Sequence, residues 1–164
     1  MMKNIYKIDL VLIIGSLLVL LVLIGYVRPL VIAPIDGYET TNTGILFSIE
    51  KAERLLIDDN FEFSTPDEYY LKDDLKIDLS PGKYYWKTIG LATSEVRTLT
   101  IKSEVNLELR EVKGDGYDVI NIGNVVLNID VYNGTNLIER KKLGIGESTK
   151  SNGTKLVGGL DDGE

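Results

Sequence analysis

The chain contains no cysteine and no histidine. No disulfide can form, no thiolate can act as a nucleophile, and no zinc site built of Cys and His is possible. A Ser-His-Asp triad and a histidine general base are excluded with them. Positive charge is also scarce: 18 Lys and Arg stand against 25 Asp and Glu, a formal net charge of −7. That balance argues against nucleic acid as a partner, which calls for a basic stripe. No G-x-S-x-G spacing occurs, and Ser48-Ile49-Glu50-Lys51 and Ser80-Pro81-Gly82-Lys83 match S-x-x-K as bare spacing without the S-D-N and K-T-G motifs that accompany it in known hydrolases, so we expect no catalytic residue, no enzyme activity and no cofactor. At 164 residues, 44% of them hydrophobic, the chain is long enough for one packed domain or two small ones. A binding or structural protein is the favoured class.

The apolar residues are concentrated at one end. Leu10 to Val27 reads LVLIIGSLLVLLVLIGYV without a charge, and eighteen residues of helix span about 27 Å, close to the hydrocarbon thickness of a bilayer. We expect a transmembrane helix over 10–28 whose partner is the lipid bilayer. A cleavable signal peptide has a shorter apolar core and a small-x-small cut site. The one available cut, after Ala33, has Val31 at −3 and Pro34 at +1, so the reading is an uncleaved signal anchor. Lys3 and Lys7 precede the run and Arg28 follows it. The positive-inside bias therefore puts residues 1–9 in the cytoplasm and the remainder outside, at the cell membrane. All but one of the 25 acidic residues lie beyond the run, a charge that anionic headgroups repel. Residues 29–43, with APIDGYETTNT at their end, read as a juxtamembrane spacer that lifts the globular part off the bilayer.

Beyond Gly44 the apolar period is two, the strand period. Ile45, Phe47 and Ile49 alternate with other residues; Lys51 to Glu53 makes a turn; Arg54 to Asp58 returns as a strand. Phe61, Phe63 and Pro66 mark an irregular edge before Leu75, Ile77 and Leu79. Ser80-Pro81-Gly82 carries the type II turn signal, and KYYWKTI (83–89) follows as an aromatic strand with Tyr84, Trp86 and Thr88 inward. Leu99, Ile101, Val105, Leu107 and Leu109 share odd positions, which predicts two strands meeting near Ser103 and burying one side. Lys113-Gly114-Asp115-Gly116 and Gly123-Asn124 read as turns, Val125 to Tyr132 as a strand and Leu137 to Leu143 as the last. Residues 148–164 read as a flexible acidic, Gly-rich tail.

The expected fold class is all-β, an antiparallel β-sandwich region behind one N-terminal transmembrane helix. Leu79-Ser80-Pro81-Gly82-Lys83-Tyr84-Tyr85-Trp86 resembles the passage from strand E to strand F of a fibronectin type III or related immunoglobulin-like module. Leu55 to Asn60, with Phe61 and Phe63 after it, looks like that family's strand C and the segment that follows. The resemblance covers residues 44–102 and implies that Tyr84 occupies the tyrosine-corner position, buried with Trp86 in the core. The stretch is shorter than the ~100 residues of such a sandwich, so either the spacer supplies the first strand or the domain is trimmed. Residues 103–147 then form a second small β unit or complete the first.

Candidate ligand contacts are the aromatics Tyr69, Tyr70 and Tyr85, because Tyr gives interface area at low entropy cost; the alternative is that they fill strands. Asp58-Asp59-Asn60 and Asp73-Asp74 with Asp78 supply oxygens but lack the spaced pattern of a calcium loop, and we expect no metal. Asn133-Gly134-Thr135 and Asn152-Gly153-Thr154 match the N-glycosylation acceptor, although Asn-Gly is also a common turn. The expected function is non-enzymatic binding of a protein or glycan at the cell envelope. The alternative is a structural subunit of an envelope or membrane assembly.

Overall fold

Residues 2–27 contain no proline, and they are helical in the computed structural model: α1 (Met2–Val27). The structure describes residues 2–112 and 116–160, with side chains from Ile8 onward. Ile8–Val27 is long and apolar enough to cross a membrane, and none of it is buried against protein. Pro29 lacks the amide that would continue the helix, and a strand begins one residue later.

That strand corrects the spacer. β1 (Leu30–Ala33) and β2 (Tyr38–Thr40) occupy most of the segment expected to be a linker. Pro34 and Gly37 do not loosen the chain there; they break one edge strand into two. β1 pairs antiparallel with β3 (Gly44–Glu50), whereas β2 joins a different sheet. Gly37 has φ +71°, a conformation that glycine adopts without steric cost. Asp36 accepts from the Thr98 amide at 2.7 Å, and Gly37 N donates to Thr98 O at 3.0 Å. The Thr98 amide, helped by the Thr98 hydroxyl, holds the Asp36 carboxyl below the usual carboxylate range.

Further along lie β4 (Arg54–Asp58), β5 (Asp67–Tyr70), β6 (Leu75–Asp78), β7 (Gly82–Ile89) and β8 (Arg97–Ile101). One sheet has the order β1-β3-β6 and the second β2-β8-β7-β4-β5. The chain divides into two compact units. The first comprises Met1–Gly37, Leu46–Lys76 and Tyr84–Leu99; the second comprises Tyr38–Ile45, Ile77–Lys83 and Thr100–Glu164.

In the first unit the core is made by alternate residues, as period two requires. Phe47, Leu55, Trp86 and Leu99 have no solvent exposure. Phe47 and Trp86 meet edge to face with centroids 5.3 Å apart, and the Arg97 guanidinium lies 5.6 Å from the Trp86 ring. Tyr84 is half-buried, not buried as the corner position implies; burial, then Asp59 and Asp67, raises its hydroxyl pKa. The Pro81-Gly82 turn is not type II, because Gly82 lacks the positive φ that this turn demands at its third residue. It already belongs to β7.

The second unit adds β9 (Leu107–Glu111), β10 (Tyr117–Asn121), β11 (Leu127–Asn133), β12 (Asn136–Leu143), β13 (Ser148–Ser151) and β14 (Lys155–Leu160). They form two three-stranded sheets, β13-β10-β9 and β12-β11-β14. Val119, Leu127, Ile129, Val131 and Leu143 make the core, with Leu107, Val125 and Leu156 packed against it. Lys113, Gly114 and Asp115 of the expected hairpin turn lie outside the described residues; β9 and β10 pair on either side.

Two expectations fail here. Val105 and Leu109 do not continue the buried side of Leu99 and Ile101: they are 45% and 54% exposed, and residues 102–106 separate the strands. The expected tail holds β13 and β14. Its glycines serve close packing: a Cβ on Gly158 would meet Leu107 Cδ1 at 2.9 Å, and one on Gly153 would clash with Val131. Two asparagines are buried, Asn124 in the expected turn and Asn121 at the end of β10. Asn124 Nδ2 donates to Thr41 O at 2.7 Å and Lys102 O at 2.9 Å, while its Oδ1 accepts from Glu104 N. Asn121 Nδ2 donates to Val125 O and Leu143 O, and its Oδ1 accepts from Gly123 N. Each amide thus uses both its donor and its acceptor atoms to tie together backbone groups of separate segments.

Candidate binding surface

Register decides which aromatics share a surface. Leu55 stands opposite Tyr69 and Thr88, and Ile57 stands opposite Trp86. Leu55, Ile57, Trp86 and Thr88 are buried, so Tyr69 belongs to the core face; burial raises its hydroxyl pKa. The other face carries Tyr70, Arg54 and Ile89 in one row, Glu68, Leu56 and Lys87 in the next, and Asp58 beside Tyr85 in the third. Tyr70 is 73% exposed and Tyr85 half-exposed, but they occupy rows at opposite ends of β4. The three tyrosines taken as ligand contacts therefore do not form one patch. Trp86, with no exposure, is a core residue.

A patch forms elsewhere on that outer face. The loop from Asp59 to Pro66 brings Phe61 against Tyr85, edge to face at 5.6 Å, and Phe63 under Lys87, whose Nζ lies 3.9 Å from the ring centroid. Phe61 is 62% exposed. Arg54 and Glu68 pair at 2.9 Å on the same face. Phe61, Phe63 and Lys87 thus complete this surface patch, and the strand periodicity did not single them out.

The loop is built by side chains from the first residue after the β4 core. Asp58 Oδ1 accepts from Asn60 N at 3.0 Å and its Oδ2 from Thr65 N at 3.0 Å. Asn60 Oδ1 accepts from Glu62 N, and its Nδ2 donates to Ser64 Oγ. The Asp58–Asn60 and Asn60–Glu62 bonds are Asx turns, which let a carboxylate or amide stand in for a backbone carbonyl. Phe63 sits at φ +54°, a region that is a genuine outlier for a bulky residue, and such strain persists only where surrounding bonds impose it. The Asn60 amide, with the Thr65 amide, holds the Asp58 carboxyl below its ordinary range, against burial, which acts the other way.

Of the aspartates considered for calcium, Asp58 has its side chain engaged in the loop. Both oxygens of Asp58 are occupied by amides, and among the described residues no group of three or more carboxylates is gathered to hold a metal ion.

The linkage gives a pH prediction. A carboxyl whose pKa is lower folded than unfolded contributes stability above its unfolded value, near 4, and loses it as pH falls through the folded value. Loop order should be unchanged from neutral pH to about pH 4 and lost below it, as followed by the Asn60 and Thr65 amide resonances. At neutral pH, Asp58→Ala should make residues 59–65 a preferred site of limited proteolysis. Asp58→Asn, which keeps one acceptor oxygen, should be cut more slowly than Asp58→Ala.

No protein-family model and no curated protein matches this chain. One similar solved structure is titled "Crystal Structure of Class 5 Fimbriae Chaperone CfaA". It shares 11% identity at a TM-score of 0.20, over 77% of this chain and 83% of that one. At that score the likeness carries no argument about fold or function.

Proposed function

We propose that this chain is a membrane-anchored, extracytoplasmic, immunoglobulin-like module that binds another envelope protein through the Phe61–Tyr85 face. Residues 10–28 hold it in the bilayer, residues 1–9 lie in the cytoplasm, and the β region lies outside. Three features support the sandwich. If β1 to β8 are read as A, A′, B, C, C′, E, F and G, the sheet orders become A-B-E and A′-G-F-C-C′. Immunoglobulin sandwiches place A, B and E in one sheet and C, F and G in the other, with C′ added beside C in the variable type. Phe47 and Trp86, one from each sheet, pack between them.

The observation that carries the binding reading is the exposure of Phe61 on a loop held by its own side-chain hydrogen bonds. An exposed ring packed beside a second aromatic and rimmed by charges suits an interface anchor. The geometry favours a protein over a glycan. Sugars stack on open ring faces, but Lys87 covers Phe63, and Phe61 meets Tyr85 edge-on. Lys87 and the Arg54–Glu68 pair supply a polar rim of both signs.

The alternative, a structural subunit held by an edge strand, draws on β14, which ends its sheet with Val157 43% and Leu160 48% exposed. The charged edge β12, with Glu139 to Lys142, discourages pairing.

The two readings separate by photo-crosslinking of the full-length protein in its own membranes. A crosslinker at Phe61 should give one discrete protein adduct, and Phe61→Ala should weaken recovery of that partner about tenfold or more, as for an anchor residue, with an unchanged melting temperature. Partner recovery that survives Phe61→Ala but is lost in Val157→Lys would overturn the binding reading in favour of assembly.

A further inference from the structure

The two acceptor triplets are far apart in the chain and adjacent in the fold, because β11 and β14 pair up to Tyr132↔Lys155. Their surroundings differ. Asn133 and Asn136 pair across the two-residue turn Gly134-Thr135. Gly134 has φ +63° and Thr135 has no positive φ, the pattern of a type II′ hairpin with glycine first. Asn133, Gly134 and Thr135 are all exposed, and the Asn133 and Thr135 side chains have no partner among the described residues.

The second triplet is held at its second and third positions. Thr154 Oγ1 accepts from Gly134 N at 2.8 Å and donates to Tyr132 O at 3.3 Å. Gly153 N donates to Ser151 Oγ, and its α-carbon faces Val131 too closely for a side chain. Asn152 is exposed, with its Oδ1 against Gly116, so what distinguishes this triplet is the bonded hydroxyl of Thr154. Acceptor recognition requires the amide of the first residue and the hydroxyl of the third. Only the first triplet leaves both available.

We propose that Asn133 is the N-glycan site of the folded chain, and that Thr154 is a structural residue whose hydroxyl pins the hairpin bearing that site. The donor is an oligosaccharide linked to a polyprenyl phosphate or pyrophosphate. Asn133 Nδ2 attacks its anomeric carbon and a C–N bond forms. The C–O bond to phosphate breaks, its electron pair leaving with the polyprenyl phosphate or pyrophosphate, and the amide proton passes to a base.

The test uses the full-length chain in detergent, an oligosaccharyltransferase and its lipid-linked donor, so it does not depend on membrane topology or on the proposed partner. Peptides spanning each triplet serve as unfolded references, and a transferase that modifies both is used. In the folded chain Asn133 should be occupied at least tenfold more than Asn152, as read by mass spectrometry of glycopeptides. Equal occupancy, or an unmodified Asn133, would overturn the assignment. Thr154→Val removes both hydroxyl bonds and should lower the melting temperature, while Thr154→Ser should restore it. Thr135→Val should abolish occupancy at Asn133 with no change in melting. A Thr154→Val chain as stable as the parent would contradict the structural role.

Discussion

Trp86→Ala is expected to unfold the first unit at ordinary temperatures. Trp86 is fully buried at the centre of β7, against Phe47 and beneath the Arg97 guanidinium. Truncating a buried large aromatic costs about 3–5 kcal/mol, a large share of the 5–15 kcal/mol that holds a typical domain together. The loss comes from the cavity and from the contacts of Phe47 and Arg97. It does not come from a broken hydrogen bond, since Trp86 Nε1 has no partner among the described residues. Trp86→Phe, which keeps a ring and discards that unpaired donor, should therefore cost less than Trp86→Ala. Circular dichroism melts and limited proteolysis of the full-length chain would read both. As the chain has one tryptophan, blue-shifted emission from the parent would report the burial directly. An alanine variant that melts with the parent would remove Trp86 from the core.

Most strands were legible because one buried face imposes period two. Ile45 and Phe47, Leu55 and Ile57, Ile77 and Leu79, and Leu127, Ile129 and Val131 are the alternating residues, and all are buried. The same rule already divided Tyr69 from Tyr70: neighbours on a strand point to opposite faces, so they could not both join one patch. Alternation alone does not say whether a face is covered. Leu109 keeps the phase of Leu99 yet stands 54% exposed, on β9 at a sheet edge.

The segments misread as linker and tail share a cause. Pro34 and Gly37 in one, and Gly153, Gly158 and Gly159 in the other, are the residues that usually mark irregular chain. Here Gly37 turns an edge strand from one sheet toward another, and Gly158 makes room for Leu107. Such needs arise from residues distant in sequence and leave no local pattern. The Phe61 loop lies between these cases. Aspartate at 58 and asparagine at 60 announce an Asx turn, so a fixed loop could have been read. That Phe61 would meet Tyr85 follows only from the pairing of β4 with β7.

The placement of the chain is tested by an all-or-none result. The absence of cysteine makes single-cysteine labelling free of background. Thr135→Cys puts a thiol on the exposed hairpin tip and replaces the acceptor threonine with a much poorer one, so a glycan at Asn133 is disfavoured. Asn4→Cys puts one ahead of the apolar run. An anchor with its N-terminus inside predicts that a membrane-impermeant maleimide labels Thr135→Cys on intact cells at the level seen in lysed cells. Asn4→Cys should be labelled only after lysis, on a chain of full length. Labelling of Thr135→Cys only after lysis, or loss of the Asn4→Cys residue from the mature chain, would contradict the anchored, outward-facing arrangement.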